Sequence, residues 1–405
     1  MLRVIMMPAR LAGIYILFFC GCQNPKDSIN HIKIIEPVEA DLNYSLEIMD
    51  TVLIPVDSLT RTVNNVNYFY CSPKTELYFD YNPAVHAIQG YNINSKVKEF
   101  YIELNKEGPE AIEEVIGLCV VSLDSIFLVT ESPKRRILLL NSQGEVLSNW
   151  FIQEPLPSGL SEYDLYFSNN FEIEYNNERK SLILSIAVYV EPWKLEYYNH
   201  PFIIEYSLSK NKILEQYGVF PYSNDIYFMM EENSRFSMKD KEVVSFYGSD
   251  LFLVYNSGDK KLEKIIKVSS KFLNDEIPPI GKDIVEDQDM AAQSNYFLEN
   301  GSYMVARYDS KRNIIYRLIK TPMDAFNVDG SKKGYSDIEY SLMILDNNFS
   351  PIDEIKLSSK KFNPNIFFVN EQGLWLSLNN SSNTSVDEDY LSLVLFRPVS
   401  NDKND

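Results

Sequence analysis

The sequence predicts an all-β chain, a six-bladed β-propeller closed by its N-terminal strand, with a seven-bladed ring as the rival count. Three observations predict it. Aromatic residues make up 13% of the 405 residues, with 27 Tyr and only 15 Gly, a balance that favours strands over helices. Five times an apolar run enters an Asn/Ser/Asp turn and a second apolar run follows, the mark of antiparallel hairpins. Two more strand-like runs stand upstream of each hairpin, and four antiparallel strands per repeating unit is a propeller blade.

The composition also excludes partners. An apolar share of 45% is ample for a packed core, and 57 acidic against 38 basic residues give a net charge of −19. A disordered or collagen-like chain is excluded by the first figure. Nucleic acid is excluded as a partner by the second, because gripping a phosphate backbone needs a Lys/Arg surface.

In chain order, Arg3 and Arg10 come before an apolar run from Leu11 to Phe19, followed by Cys20, Gly21 and Cys22. A charged start, a short apolar middle and a small residue before the cut predict a signal peptide over residues 1–21. The run is too short to cross a bilayer. Cys22 after Gly21 resembles the lipobox of bacterial lipoproteins, which implies that Cys22 becomes the lipidated first residue and that the partner at this end is a membrane. Phe19, where lipoboxes usually carry Leu, departs from that pattern, and an ordinary secretory signal is the alternative. No acidic residue directly follows Cys22, which by the same resemblance implies outer-membrane sorting. Residues 22–40 read as a tether, 41–400 as the propeller and 401–405 as a polar tail.

Leu46 to Ile54 is the strand expected to close the last blade. The first hairpin joins Ala87–Tyr91 to Lys98–Ile102 and the second Ile137–Leu140 to Glu145–Ile152. The third joins Phe202–Tyr206 to Ile213–Tyr217, the fourth Leu251–Tyr255 to Leu262–Val268 and the fifth Leu342–Leu345 to Ile352–Leu357. Upstream pairs include Phe171–Tyr175 with Leu182–Val190 and Tyr303–Tyr308 with Ile314–Ile319. The sixth unit has Ile366–Val369, Leu374–Leu378 and Leu391–Phe396 and lacks a fourth strand, which Leu46–Ile54 supplies; such closure hides an edge that invites aggregation. Turns begin near 94, 141, 208, 256 and 346. Insertions over Glu191–His200, Ser269–Asn295 and Thr321–Tyr340 account for the longer gaps.

In a propeller the first-to-second and third-to-fourth strand turns share one face and the other connections share the opposite face. Here the second set is long, and elaborated loops on a rigid scaffold are where binding resides. The binding candidates are therefore Trp193, Tyr197, Tyr198 and His200 in one loop and Tyr222, Asp225 and Tyr227 in another, residue types that anchor proteins or stack on sugars. The bland alternative is that these rings plug loops onto blade edges. Glu286, Asp287 and Asp289 form an acidic cluster without calcium-loop spacing, and it reads as solvated charge, as do the acids of Asp324–Asp337. His31, His86 and His200 fall in no metal-ligand spacing, no Gly-x-Ser-x-Gly elbow occurs, and neither a catalytic residue nor a cofactor is expected. Cys71 and Cys119 sit in innermost strands of neighbouring blades; free buried thiols are favoured over a disulfide.

The lipobox, the Tyr/Asn/Lys-rich composition and the blade pattern together resemble the Bacteroidetes lipoproteins that carry a TolB-like six-bladed propeller, among them a domain family of unknown function. The resemblance spans the whole mature chain and implies a fold and a cell-envelope location, without an activity. Three functions stay open. The first is a non-enzymatic binding or scaffold module for a protein or glycan. The second is an envelope hydrolase or lyase with its site at the central channel, for which Arg307, Arg317 and Glu174 are candidate lining residues and a cluster of perturbed ionisable groups would be the sign. The third is a sensor or assembly factor of a membrane complex.

Overall fold

Alternating apolar residues and a repeated turn chemistry fold the chain into six small antiparallel sheets set in a ring. The computed structural model describes residues 32–400 except 39, 41–43, 61, 63–65, 109–110, 131–134, 158–161, 169–170, 192–193, 221–231, 274–276 and 359. Cys22, the expected signal segment and the tail 401–405 lie outside the described residues, as do Trp193, Tyr222, Asp225 and Tyr227.

Two strands come before the first blade, β1 (Ile34–Ile35) and β2 (Tyr44–Pro55). Blade 1 runs from the channel outward as β3 (Asn67–Cys71), β4 (Glu76–Asn82), β5 (Ala87–Asn92) and β6 (Val97–Glu103). Blade 2 is β7 (Val115–Ser122), β8 (Ser125–Thr130), β9 (Arg136–Leu140) and β10 (Val146–Phe151). Blade 3 divides its inner position between β11 (Tyr163–Leu165) and β12 (Glu174–Asn176), followed by β13 (Ser181–Val188), β14 (Pro201–Ser207) and β15 (Lys212–Val219). Blade 4 is β16 (Asn233–Met238), β17 (Lys241–Phe246), β18 (Leu251–Asn256) and β19 (Leu262–Lys267). Helices α1 (Lys282–Glu286) and α2 (Met290–Glu299) precede blade 5, which is β20 (Ser302–Asp309), β21 (Ile314–Lys320), β22 (Tyr340–Asp346) and β23 (Pro351–Lys356). Blade 6 has β24 (Asn363–Val369), β25 (Leu374–Ser377) and β26 (Tyr390–Ser400), with β2 as its outermost strand. The six-bladed count and closure by the N-terminal strand are thus as expected.

Turn chemistry explains the scarcity of Gly. The Asn92 carboxamide oxygen accepts from the backbone N–H groups of Asn94 and Ser95, each at 2.9 Å. Asn176, Asn256, Asp309 and Asp346 do the same for the turns they open. An Asx side chain that mimics the turn's own hydrogen bonds fixes the reversal locally. The last turn position then adopts positive φ in Lys96 (60°), Lys180 (49°), Lys260 (52°) and Asn313 (55°). Those residues bear the left-handed strain that Gly would avoid.

The hydrophobic core is a ring of seams between blades rather than a single centre. One cluster joins blades 1 and 2 through Phe79, Ile88, Leu118 and Leu128. Another joins blades 4 and 5 through Phe252, Ile266, Ile315 and Met343. The seam between blades 6 and 1 is aromatic: the Phe69 and Phe368 rings stack at 4.1 Å and 12°, and Trp375 lies 6.4 Å from Phe368.

Two expectations need correction, and one insertion takes on a defined form. Part of the tether belongs to the fold, because Ile34 and Ile35 pair in parallel with Ile265 and Ile266 and add a fifth strand to blade 4. The insertion before blade 5 is helical, with Asp289 accepting from the N–H groups of Ala291 and Ala292 at the start of α2. Its carboxylate is a helix cap. Both described thiols are free, but only Cys119 is buried; Cys71 ends β3 in solvent.

Candidate functional site

In every blade the innermost strand runs toward the face that carries the first-to-second and third-to-fourth turns. Around the axis, the ends of these strands nearer that short-turn face enclose a cavity of about 270 Å³. Its walls include Phe69 from β3, Glu174 from β12, Arg235 and Ser237 from β16, Arg307 and Tyr308 from β20, Phe368 from β24, and Glu172. Exposed Ser237 marks the rim. The long loops decorate the opposite face, so this cavity and the elaborated loops lie at opposite ends of the channel.

Arg235 organises one side. Its Nη1 lies 2.8 Å from Glu174 Oε2 and its Nη2 lies 2.5 Å from Glu242 Oε2, while Nε donates to the Tyr217 hydroxyl at 3.2 Å. Lys260 Nζ reaches Glu242 Oε1 at 3.0 Å. Burial alone would raise the Glu174 carboxyl, but Arg235, Ser237 and Lys260 hold it below its ordinary value. Burial likewise opposes the charge on Arg235, and Glu174, Tyr217 and Glu242 reverse that effect and raise it. Here charge is bound by charge, which is how an ion survives in a low-dielectric ring.

Arg307 and Glu172 form a looser pair. Arg307 Nε lies 3.4 Å from Glu172 Oε2, and Nη1 donates to Ala306 O at 3.0 Å. Burial lifts the Glu172 carboxyl above its usual range, Arg307 pulls it down, and Glu174 pushes it up again. The Glu172 side chain keeps 41% of its surface open, because it faces the cavity while protein atoms surround it on the remaining sides.

Glu172 reaches the axis because the inner strand of blade 3 is interrupted. β11 pairs with Ile186–Val188 and β12 with Ser181–Ile183. Tyr166 still donates its N–H to Ser185 O at 3.1 Å, and the described residues between it and β12 lie outside the two paired segments. Phe171 and Ile173 pack in the core, whereas Glu172 and Glu174 turn to the channel. The excursion leans on Gly117 of β7, where an added Cβ would sit 2.6 Å from Ile173 Cδ1 and 3.2 Å from Phe167 Cδ2. A small second cavity of about 30 Å³ lies beside it, and Phe69, Glu172, Arg307 and Phe368 line both.

The sequence-predicted residues divide. Glu174 and Arg307 line the channel as expected. Arg317 does not: β21 is a second strand, and the Arg317 guanidinium lies 4.2 Å above Phe252 and 4.0 Å above Tyr303, with Nη2 donating to Ser249 O at 2.8 Å. It fastens blade 5 to blade 4. Tyr197 and Tyr198 are core residues instead of surface anchors, 5% and 0% exposed, with their rings against Phe202 and Phe220. His200 is half-buried, and burial lowers its pKa. Sequence reasoning missed Arg235 and Glu172. The signal for Glu172 was present: in Phe171-Glu172-Ile173-Glu174 the two carboxylates alternate with apolar residues and so share one strand face.

A family model described as "Domain of unknown function (DUF4221)" matches residues 42–356. The chain belongs to the DUF4221 family. A solved DUF4221 member from Bacteroides vulgatus is similar, with a TM-score of 0.76 and 20% identity over 89% of this chain and 100% of that one. A Bacteroides fragilis protein named "Putative exported protein" aligns at a TM-score of 0.55 and 12% identity, over 91% of this chain and 100% of that chain. No match is found among curated proteins. At these identities the solved DUF4221 structure supports the propeller fold alone.

Proposed function

We propose that this DUF4221 chain is a non-enzymatic binding propeller of the cell envelope, held at the outer membrane by a lipid on Cys22, whose ligand enters the central channel. The location rests on the charged start, short apolar run and Gly21-Cys22 junction. The binding reading rests on one observation: a cavity of about 270 Å³ on the axis that combines the Glu172–Arg307 pair with the rings of Phe69, Phe236, Tyr308 and Phe368. Convergent polar groups among apolar walls are what a small-molecule site requires. The volume is slightly below the roughly 300–1,000 Å³ of drug-sized pockets. Of the protein and glycan partners expected from the sequence, it admits a monosaccharide and excludes a folded domain.

A second reading, an envelope enzyme using Glu172 as an acid, is favoured by the raised titration of that carboxyl at the cavity wall; such displacement marks catalytic groups as well as structural ion pairs. The binding reading is preferred because Arg235, Lys260 and Arg307 are already matched by Glu174, Glu242 and Glu172. A thermal-shift panel of sugars, uronates and amino acids separates the two. A ligand that raises the melting midpoint and is recovered unchanged supports binding. Chemical conversion of that ligand supports the enzyme, and a panel with no shift removes the channel as the site.

A further inference from the structure

We propose that the channel captures a small molecule bearing a single carboxylate, which replaces the Glu172 side chain on the Arg307 guanidinium while Glu172 takes up a proton. This rests on the reading of the channel as the binding site.

The two partners are held differently. Arg307 sits on β20, fixed by its backbone ladder and by Nη1 donating to Ala306 O at 3.0 Å and Ser234 Oγ at 3.4 Å. Glu172 sits on the excursion between β11 and β12, outside the ladder of blade 3. Its 3.4 Å pair is longer than the 2.8 and 2.5 Å contacts of Arg235. Exchange therefore moves the excursion side chain and leaves the guanidinium in place.

Charge selects the ligand. The three cations and three carboxylates of the network balance. A proton on Glu172 leaves one positive charge, which a monoanion neutralises and a dianion overshoots. A carboxylate also matches the planar fork of Arg. Among the described residues, the charged and titratable groups that face Glu172 are Arg307, Arg235, Glu174, Tyr68 and Cys119. Burial raises the Tyr68 hydroxyl well above its ordinary value and the Cys119 thiol to about 12, so both stay neutral near pH 7. Glu174 is held charged by Arg235. Glu172, already lifted by burial, is the group in this cluster that accepts the proton. The rings of Phe236 and Tyr308 at the cavity wall suit a ligand with an apolar face, as a pyranose uronate has.

The test is isothermal titration with D-galacturonate, D-glucuronate and phenylacetate, with galactose as neutral control and galactose-6-phosphate, whose second pKa is about 6, as dianionic control at the higher pH. Each is run at about pH 5.5 and about pH 8 in two buffers of different ionisation enthalpy, so that proton uptake is read directly. The expected result is carboxylate binding with about one proton taken up per ligand, and affinity falling about tenfold per pH unit above the titration of Glu172. Arg307→Gln loses the binding. Glu172→Gln keeps it without proton uptake and without pH dependence, and circular dichroism confirms that both variants fold. Galactose binding as tightly as galacturonate, or proton uptake persisting in Glu172→Gln, overturns the exchange. If that galactose binding is lost in Tyr308→Ala, the channel reading survives without the exchange. No binding by any probe to the parent overturns both.

Discussion

At the scale of single residues, the Asx turns do work that composition alone only hinted at. Few Gly among so many turns means that side chains must set the reversals, and Asn92 shows how, since one carboxamide oxygen satisfies two backbone donors at once. Asn92→Ala leaves both donors to water and is expected to lower stability by about 1–2 kcal/mol. Urea titration checks it: the midpoint falls with m unchanged, while Asn92→Asp, which keeps the acceptor, stays near the parent. An alanine variant with the parent's midpoint would show that the turn forms without its cap. Lys320 makes a different point. Its amine is buried in blade 5 over the Phe297 ring at 4.9 Å, donates to Asn300 O, and burial pushes it down to about 7. The unfolded chain thus binds more protons than the folded one from about pH 7 to the ordinary lysine value. Stability from this group is present at high pH and is lost as pH falls toward 7. The melting midpoint of the parent, measured relative to Lys320→Met, should rise over that window and be flat below it. No relative change would place the amine in water. Nothing in the local sequence around Lys320 distinguishes it from an exposed strand lysine, because its burial comes from α2 docking onto blade 5.

At the scale of elements, hairpins were the readable unit. A hairpin is specified by contiguous residues, by alternation on each side and Asx chemistry between, so its limits follow from the local chain. The hairpin over Ala87–Ile102 and the one over Leu251–Val268 fall where β5–β6 and β18–β19 form. The inner strand of blade 3 was only half readable. Its second segment lies within the apolar alternation Phe171–Tyr175, but the break after Leu165 depends on β7 leaving space through Gly117, a residue far away in sequence. The same tertiary dependence hid the site, since Arg235 becomes a channel residue only when Glu174 and Glu242 arrive from other strands. Gly117→Val tests this coupling. A branched side chain would strike Ile173 and Phe167, push both away from β7 and shift Glu172 relative to Arg307. The expected outcome is a destabilisation of about 1–3 kcal/mol together with loss of any channel ligand. A variant that loses stability but binds as the parent does would separate the excursion from the site.

At the scale of the whole molecule, the ring is only as secure as its closure. Blades 1, 2, 3 and 5 are built from consecutive strands and blade 4 adds only the short β1 at its edge, whereas blade 6 takes its outer strand from the other end of the chain, with β2 running antiparallel to β26 from Tyr44↔Ser400 to Pro55↔Tyr390. The same strand carries Val52 and Ile54 into the aromatic seam with Tyr78, Tyr91 and Trp375. Joining distant segments costs loop-closure entropy, so this contact forms late and is repaid by the whole seam. A chain that starts at Asp57 would keep every inner strand, the channel charges and the consecutive strands of blades 1 to 5, losing only β1 from the edge of blade 4. It would expose the long edge of β26 and uncover part of the blade 6 to blade 1 core. Such an edge is a template for another chain, and the expected outcome is self-association with a lower and broader melting transition. A synthetic peptide covering residues 44–55 should restore a monomer if closure is the cause, because it can supply both the edge partner and the two apolar side chains. A truncated chain that stays monomeric and melts with the parent's cooperativity would show that the seams between consecutive blades hold the ring without the N-terminal strand.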